Sequence, residues 1–308
     1  MTKLRLAVVG FGKIATTRHV PAIAANSDVE LVAIADPKAK SPDVPNFASL
    51  EALLRDGPEI DAVTLCTPPQ VRTPQARLAL EAAKHVMLEK PPGATVSEIA
   101  PLLAVAQEAK RTLFATWHSR FAPAVEPARE LLASRSLKQV TITWKEDVRV
   151  WHPGQDWIFA AGGFGVFDPG INALSILTRI LPRPVFVTGA ELGFPANREA
   201  PIVVEMDMAD ATGLPVRAEF DFRQTGPQTW DIRIETDRGP LVLSGGGARM
   251  SDGEKGVIEA MKEEYPALYR RFVDLTSTGA CDVDLAPLQI VADAFLLGRR
   301  RNVEAFEF

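Results

Sequence analysis

The sequence predicts an α/β chain of two domains: a doubly wound parallel sheet, then an α+β domain with a large, mostly antiparallel open sheet. Its 308 residues suit about two domains of ordinary size. Residues 1–118 alternate short, near-continuous apolar runs with helical patterns, as a parallel sheet covered on both faces requires. Beyond about Trp117 the pattern changes to long runs of period-two alternation, which puts one buried face on an antiparallel sheet. The domains are placed at 1–118 and 119–308, and the last helix is a candidate to return to the first domain.

In the first domain the strands are expected at Leu4–Val9, Val29–Ala35, 62–66, 86–88 and Leu113–Thr116. Helices are expected between them at 14–25, 50–55, 71–83 and 97–110. Right-handed crossovers then give the doubly wound topology. The second domain opens with a helix over 123–133. A strand follows with Val140, Ile142, Trp144 and Val148 on one face. Alternation around Val204 and Met206, Val216 and Ala218, and Ile232 and Ile234 predicts further strands. Helices over 171–180 and 265–275 are expected to cover the buried face, and 285–300 is the last helix. The other face carries Arg217, Glu219, Asp221, Arg223, Asp231, Arg233 and Glu235, which suits solvent or a polar interface. The chain is therefore expected as a monomer or homodimer.

Composition excludes several function classes. Hydrophobic residues make up 46% and charged residues 24%, as in a globular protein with a real core. A net charge of -5 does not suit a nucleic-acid-binding surface. No apolar run is long enough to span a bilayer. The apolar start at Leu4–Val9 is too short for a signal segment and runs into glycine, so it reads as a buried strand. Two cysteines, Cys66 and Cys281, read as reduced thiols in a cytoplasmic protein. His19, His85, His118 and His152 are scattered without neighbouring cysteines, so no metal site is expected.

Gly10-Phe11-Gly12-Lys13-Ile14-Ala15 follows the first strand and opens the first helix, fitting the G-x-G-x-x-G/A form of a Rossmann dinucleotide-binding turn. Gly10 permits the tight turn and Gly12 lets backbone approach a pyrophosphate. The helix start at Lys13 and Ile14 offers N–H groups to phosphate. Asp36 stands 24 residues after Gly12, at the end of the second strand. A carboxylate there accepts from ribose hydroxyls and repels a 2′-phosphate, so NAD is favoured, while nearby Lys38 leaves NADP open. Cys66, Thr67 and Pro68 lie at the carboxyl edge of the sheet, where doubly wound folds place ligands, although the prolines also suit a plain strand stop. The Cys66 thiol reads as core. Glu89-Lys90-Pro91-Pro92 follows the next strand at the same edge. On spacing alone, Lys90 reads better as a solvated surface lysine.

In the second domain Glu146 falls in phase with the apolar face of its strand. An inward carboxylate is costly unless it is paired or binds something. His152 beside Trp151, taken alone, suits a packing role. Asp168 and Asn172 are four residues apart at the start of a helix and can face one site, although Asp168 also suits a helix N-cap.

Taken together, G-x-G-x-x-A, the acidic second-strand end, C-T-P-P, E-K-P and Gly163-Phe164-Gly165-Val166-Phe167-Asp168-Pro169-Gly170-Ile171-Asn172 resemble the glucose-fructose oxidoreductase / inositol dehydrogenase / rhizopine catabolism (Gfo/Idh/MocA) family. The resemblance covers the whole chain in motif order. It implies that Glu89 and Lys90 belong to the family's E-K-P element, often with a cis bond at Pro91. Within the family, three further stretches make the chain similar to bacterial aldose 1-dehydrogenases acting on D-galactose and L-arabinose. They are His118-Ser119-Arg120, the run Trp144 to Arg149 and Trp151-His152-Pro153-Gly154-Gln155. The general D-x-G-x-H element here ends in Asn172, and an amide cannot take a proton at neutral pH. Asparagine at this position is shared with the sugar dehydrogenases. The resemblance thus implies an NAD(P)-dependent sugar oxidation at the anomeric carbon. Lys90 and Asp168 are the candidate bases, and Glu146, His152 and Asn172 hold the sugar. His118 and Arg120 either position substrate or brace the domain junction. A dehydrogenase of another sugar or cyclitol, and a non-catalytic NAD(P)-binding regulator, are the competing readings.

Overall fold

The computed structural model describes residues 3–253, 257–259 and 263–308. The chain forms two compact units, Met1–His118 with Glu264–Asp284, and Ser119–Glu263 with Leu285–Phe308.

In the first unit, β1 (Leu4–Val9), β2 (Val29–Ala35), β3 (Asn46–Phe47), β4 (Ala62–Leu65), β5 (His85–Glu89) and β6 (Leu113–Thr116) make one sheet. Among the described residues it has six strands in the order β3-β2-β1-β4-β5-β6. Every pairing is parallel. The central residues of the strands are apolar because both faces are covered: Leu6, Ala7, Val8, Ala62, Val63 and Leu88 are fully buried. The connecting helices are α1 (Val20–Ala24), α2 (Leu50–Asp56), α3 (Pro69–Glu81) and α4 (Ile99–Ala109). The first crossover differs from the single helix expected over 14–25. It contains a π turn, Ala15–His19, before α1. The hydroxyls of Thr16 and Thr17 bond back to the Lys13 carbonyl at 3.1 and 2.7 Å, competing with the regular backbone ladder.

The helix Glu264–Thr278 also belongs to this unit. The sequence pattern had suggested that it covers the antiparallel sheet and that the last helix returns instead. Its apolar stripe explains the difference. Tyr269 meets His19, and Phe272 stacks on Phe114 with ring centroids 6.3 Å apart. Downstream, the Asp282 carbonyl accepts from Ala115 N at 3.0 Å, and the Asp284 carbonyl from Trp117 Nε1 at 2.8 Å. These bonds add the segment to the β6 edge.

In the second unit, α5 (Val125–Leu132), β7 (Leu137–Lys145), α6 (Val148–Trp151) and α7 (Phe167–Ile180) come first. They are followed by β8 (Val185–Pro195), β9 (Val203–Asp210), β10 (Pro215–Asp221), β11 (Thr229–Thr236), β12 (Gly239–Ser244), β13 (Arg249–Asp252), β14 (Val257–Glu259) and β15 (Arg299–Val303). Among the described residues these strands form one nine-stranded sheet, β14-β13-β12-β11-β7-β10-β9-β8-β15. Among the described residues only β7 with β10 and β15 with β8 pair in parallel, so the sheet is mixed and mostly antiparallel. Val140, Ile142, Met206, Ala218, Phe220 and Ile234 make its buried face, and α5 and α7 pack on that side. Gly170 lets α7 lie close: a Cβ there would stand 2.8 Å from the Phe220 ring. On the other face, charges pair across and along strands, as in Arg217–Glu205 at 2.9 Å and Lys145–Glu219 at 2.8 Å.

Two expectations change here. β7 ends at Lys145, because Asp147 caps a new helical turn by accepting from Arg149 N at 2.9 Å; Val148 therefore lies in α6 rather than in the strand. The last helix, Ala286–Leu297, packs on β8 and α7 within its own unit, with Phe295 5.4 Å from Phe167. Among the described residues no helix is long and apolar enough to cross a membrane.

Candidate active site

In the first unit the glycine turn follows β1. Gly10 has φ +83°, and a Cβ there would stand 2.8 Å from Thr67 N, so β1 can end against the β4–α3 turn only with glycine. A Cβ at Gly12 meets nothing within 4 Å. The backbone at Gly12 is thus open to a ligand, which is the cradle a pyrophosphate needs. Lys13 is exposed and Ile14 is half-buried with helical backbone. Asp36, just past β2, closes the turn. Its carboxylate accepts from Phe11 N at 2.8 Å, Lys38 N at 2.8 Å and Ala39 N at 2.7 Å. Burial works to raise its pKa, but those three donors and the Lys38 charge outweigh burial and lower it. The residues present therefore fit a dinucleotide, with a fixed negative charge at the end of β2.

Cys66, Thr67 and Pro68 form the β4–α3 turn. Cys66 is a free, half-buried thiol, and Thr67 Oγ1 donates to Gln75 Oε1 at 2.6 Å. The Lys90–Pro91 peptide that follows β5 is cis. Arg72 on α3 is buried and donates to the carbonyls of Thr67, Glu89 and Pro91, clamping both edge turns to each other. Lys90 itself is half-buried. The Glu89 carboxylate, expected at the cofactor, points into the unit instead: it is 3% exposed and accepts from Tyr265 Oη at 2.6 Å and from Lys90 N. His118 ends this unit. Its Nδ1 lies 2.6 Å from Glu264 Oε2, and its ring stacks on Tyr265 at 5.3 Å.

In the second unit three of the expected residues converge. Glu146, directly after β7, is 2% exposed, as the alternation implied. Its Oε2 accepts from Trp230 Nε1 at 2.8 Å, and its Oε1 is buried with no hydrogen-bond partner among the described residues. His152, at the end of α6, places Nε2 3.4 Å from that Oε1 and 3.7 Å from Asp168 Oδ2. Asp168 lies in the first turn of α7 and is buried. Val166 takes the cap position, so Asp168 is not the helix N-cap. Asn172 follows one turn later on the same face and is half-buried. Trp151 and Trp230 stand beside the cluster with centroids 4.8 Å apart. Arg120 donates to the Ser175 carbonyl and to Thr178 Oγ1, fastening α7. No group of three or more His, Cys, Asp or Glu side chains among the described residues could hold a metal ion.

Arg72, His19 and Tyr265 were not singled out from the sequence. Nothing in the local sequence marks Arg72 as buried, so its role was not readable before the fold was known.

Residues 4–116 match the family model described as "GFO_IDH_MocA: Oxidoreductase family, NAD-binding Rossmann fold". The chain is 48% identical over 307 residues to a galactose 1-dehydrogenase of Pseudomonas fluorescens, covering 99% of each chain. It is 29% identical over 235 residues to a D-xylose 1-dehydrogenase (NADP(+)) of Haloferax volcanii, covering 74% of this chain and 68% of the other. The crystal structure of a D-galactose-1-dehydrogenase protein from Rhizobium etli superposes with a TM-score of 0.95 at 57% identity, covering 100% of this chain and 99% of that one. A 3-ketoreductase from Actinomadura kijaniata in complex with NADP shares the fold, with a TM-score of 0.81 at 19% identity, covering 98% and 100%. With a near-half-identical relative spanning its full length, the chain belongs to the Gfo/Idh/MocA oxidoreductase family, whose NAD-binding Rossmann fold occupies its first unit.

Proposed function

We propose that this chain is an NAD(P)-dependent aldose 1-dehydrogenase that oxidises D-galactose, and L-arabinose with it, at the anomeric carbon to the aldonolactone. The observation that carries the reading is full-length identity of 48% and 57% to two galactose 1-dehydrogenases. The convergence of Glu146, His152 and Asp168 supports it, because a buried carboxylate oxygen that makes no hydrogen bond among the described residues and faces an imidazole at 3.4 Å suits a sugar hydroxyl donor.

The open backbone at Gly12 and the helical stretch begun by Lys13 and Ile14 hold the pyrophosphate. Asp36 accepts from the adenosine ribose, and its fixed charge opposes a 2′-phosphate, which favours NAD over NADP. Thr67 and Pro68 line the same edge. When bound, the nicotinamide supplies the hydride acceptor for the anomeric carbon. The anomeric hydroxyl must lose a proton, and Lys90 and Asp168 are the groups assigned to take it. Glu146 Oε1, His152 Nε2 and Asn172 take the ring hydroxyls. A missing or inverted hydroxyl would leave one of these groups unpaired, which is how a polar pocket discriminates. D-Galactose and L-arabinose share the configuration of the ring carbons beyond C1 and differ by the exocyclic hydroxymethyl group, so one such pocket takes both.

Steady-state oxidation of D-galactose, L-arabinose and D-xylose with NAD and with NADP tests the reading. The expected result is turnover of galactose and arabinose, NAD used better than NADP, and large losses of kcat in Lys90→Ala and Asp168→Ala. Full turnover by both variants would remove the base assignment, and no reaction with any sugar would remove the activity.

A further inference from the structure

His19 is delivered by the helix that follows Gly10 and Gly12, and Glu89 closes β5 one residue before Lys90. The His19 side chain is fully buried and that of Glu89 nearly so. Imidazole Nδ1 lies 2.8 Å from the Tyr269 hydroxyl, and Nε2 lies 3.4 Å from Glu89 Oε1. That oxygen also accepts from Tyr265 Oη, while Oε2 accepts the backbone N–H of Lys90. We infer that His19 is a positioning residue for Lys90: it is the buried counter-charge of the Glu89 carboxylate that anchors the Lys90 backbone. The inference rests on the proposed role of Lys90 in the sugar oxidation.

A carboxylate taken out of water is held in its charged form only by donors and opposite charge. Burial would raise the Glu89 pKa, but the His19 imidazole 3.4 Å away, with the charges of His118 and Lys90, outweighs burial and holds the carboxyl at about 2. Burial likewise opposes a charged imidazole. Cys66, Tyr269 and Glu89 act in the other direction, and His19 is raised well above its ordinary value. Two other nearby charges also have partners elsewhere: Arg72 donates to the Glu89 carbonyl, and His118 Nδ1 lies 2.6 Å from Glu264 Oε2.

Without the imidazolium, Glu89 takes a proton at a higher pH. A neutral carboxyl is a weaker acceptor than a carboxylate, so the bond from the Lys90 N–H to Glu89 Oε2 loses its charge assistance. The turn that carries Lys90 is then held less firmly. A displacement of ~1 Å in a reacting group can cost ~100-fold in rate.

The test compares His19→Gln, Glu89→Gln and the double variant, each checked for folding by its melting curve and for NADH affinity by fluorescence. His19→Gln is expected to lower kcat roughly 10- to 100-fold, with KM for D-galactose and NADH affinity within about twofold of wild type. Its kcat gains an acid limb, activity being lost as pH falls through the raised Glu89 pKa. Glu89→Gln is expected to lose kcat similarly without that limb, and the double variant to be no worse than the worse single. Wild-type kcat in folded His19→Gln, an unchanged pH profile, or losses that multiply in the double variant would overturn the inference. Should His19→Gln not fold, wild-type kcat in Glu89→Gln overturns it by itself. Lys90→Ala, run alongside, separates the two levels. Full turnover there sinks the role of Lys90, whereas impaired Lys90→Ala beside unimpaired His19→Gln sinks only the positioning role.

Discussion

Replacing Arg72 with methionine keeps an apolar stem of similar reach and removes the guanidinium that donates to the carbonyls of Thr67, Glu89 and Pro91. Arg72 is 3% exposed, so water replaces few of those bonds. A buried polar group left unsatisfied costs ~1–3 kcal/mol. Three carbonyls, one of them rescued by a solvent molecule or a shift, give a loss of roughly 3–5 kcal/mol. For a domain of this class each kcal/mol lowers the melting temperature by about 2–4 °C, so the drop is expected near 10 °C. Calorimetry of wild type and variant, with and without NAD, measures it. Because the clamp spans the turns carrying Thr67 and Lys90, kcat for D-galactose is expected to fall in the same variant, with the sugar KM little changed. Arg72→Lys, whose single ammonium cannot serve three carbonyls in a fork, is expected in between. A melting temperature within about 2 °C of wild type would show that the clamp holds nothing and refute the reasoning.

Other consequences are as direct. Gly10→Ala places a Cβ 2.8 Å from Thr67 N at φ +83°, and strain of ~1–3 kcal/mol is expected to appear as weaker NADH binding in a fluorescence titration. Asp36→Ser removes the fixed charge at the end of β2, and the ratio of kcat/KM for NADP over NAD is expected to rise. Glu89 has a folded pKa of about 2 against ~4.3 unfolded, so its ionised form contributes roughly 3 kcal/mol. That contribution is complete above about pH 5 and is lost as pH falls toward 2. The stability gap between wild type and Glu89→Gln, read from urea melts, is therefore expected to close on acidification.

Much of the fold was legible because the first sheet is buried on both faces. Leu6–Val9 is apolar without interruption, and the glycine turn and Asp36 follow at fixed offsets. The inward phase of Glu146 was also readable, since β7 alternates cleanly up to Lys145. The returning helix was not placed correctly. Tyr265, Leu268, Tyr269 and Phe272 define a face, but periodicity does not say what that face meets. The strand Arg299–Val303 was missed because its three arginines give no alternation, as suits a charged edge strand. Asp168 read equally well as a cap, and only the fold shows Val166 in that place. The group of His19, Glu89, Tyr265 and Tyr269 joins residues up to 250 positions apart, His19 to Tyr269 being the longest link, and no local pattern encodes such a pairing.

The central claim is oxidation at the anomeric carbon, and isotope transfer tests it most directly. D-Galactose deuterated at C1 is incubated with enzyme and NAD, and the reduced nicotinamide is examined by mass spectrometry and NMR. The account predicts one deuterium per reduced nicotinamide and a galactonolactone without the label. Unlabelled NADH, or label retained in a keto sugar, would contradict it.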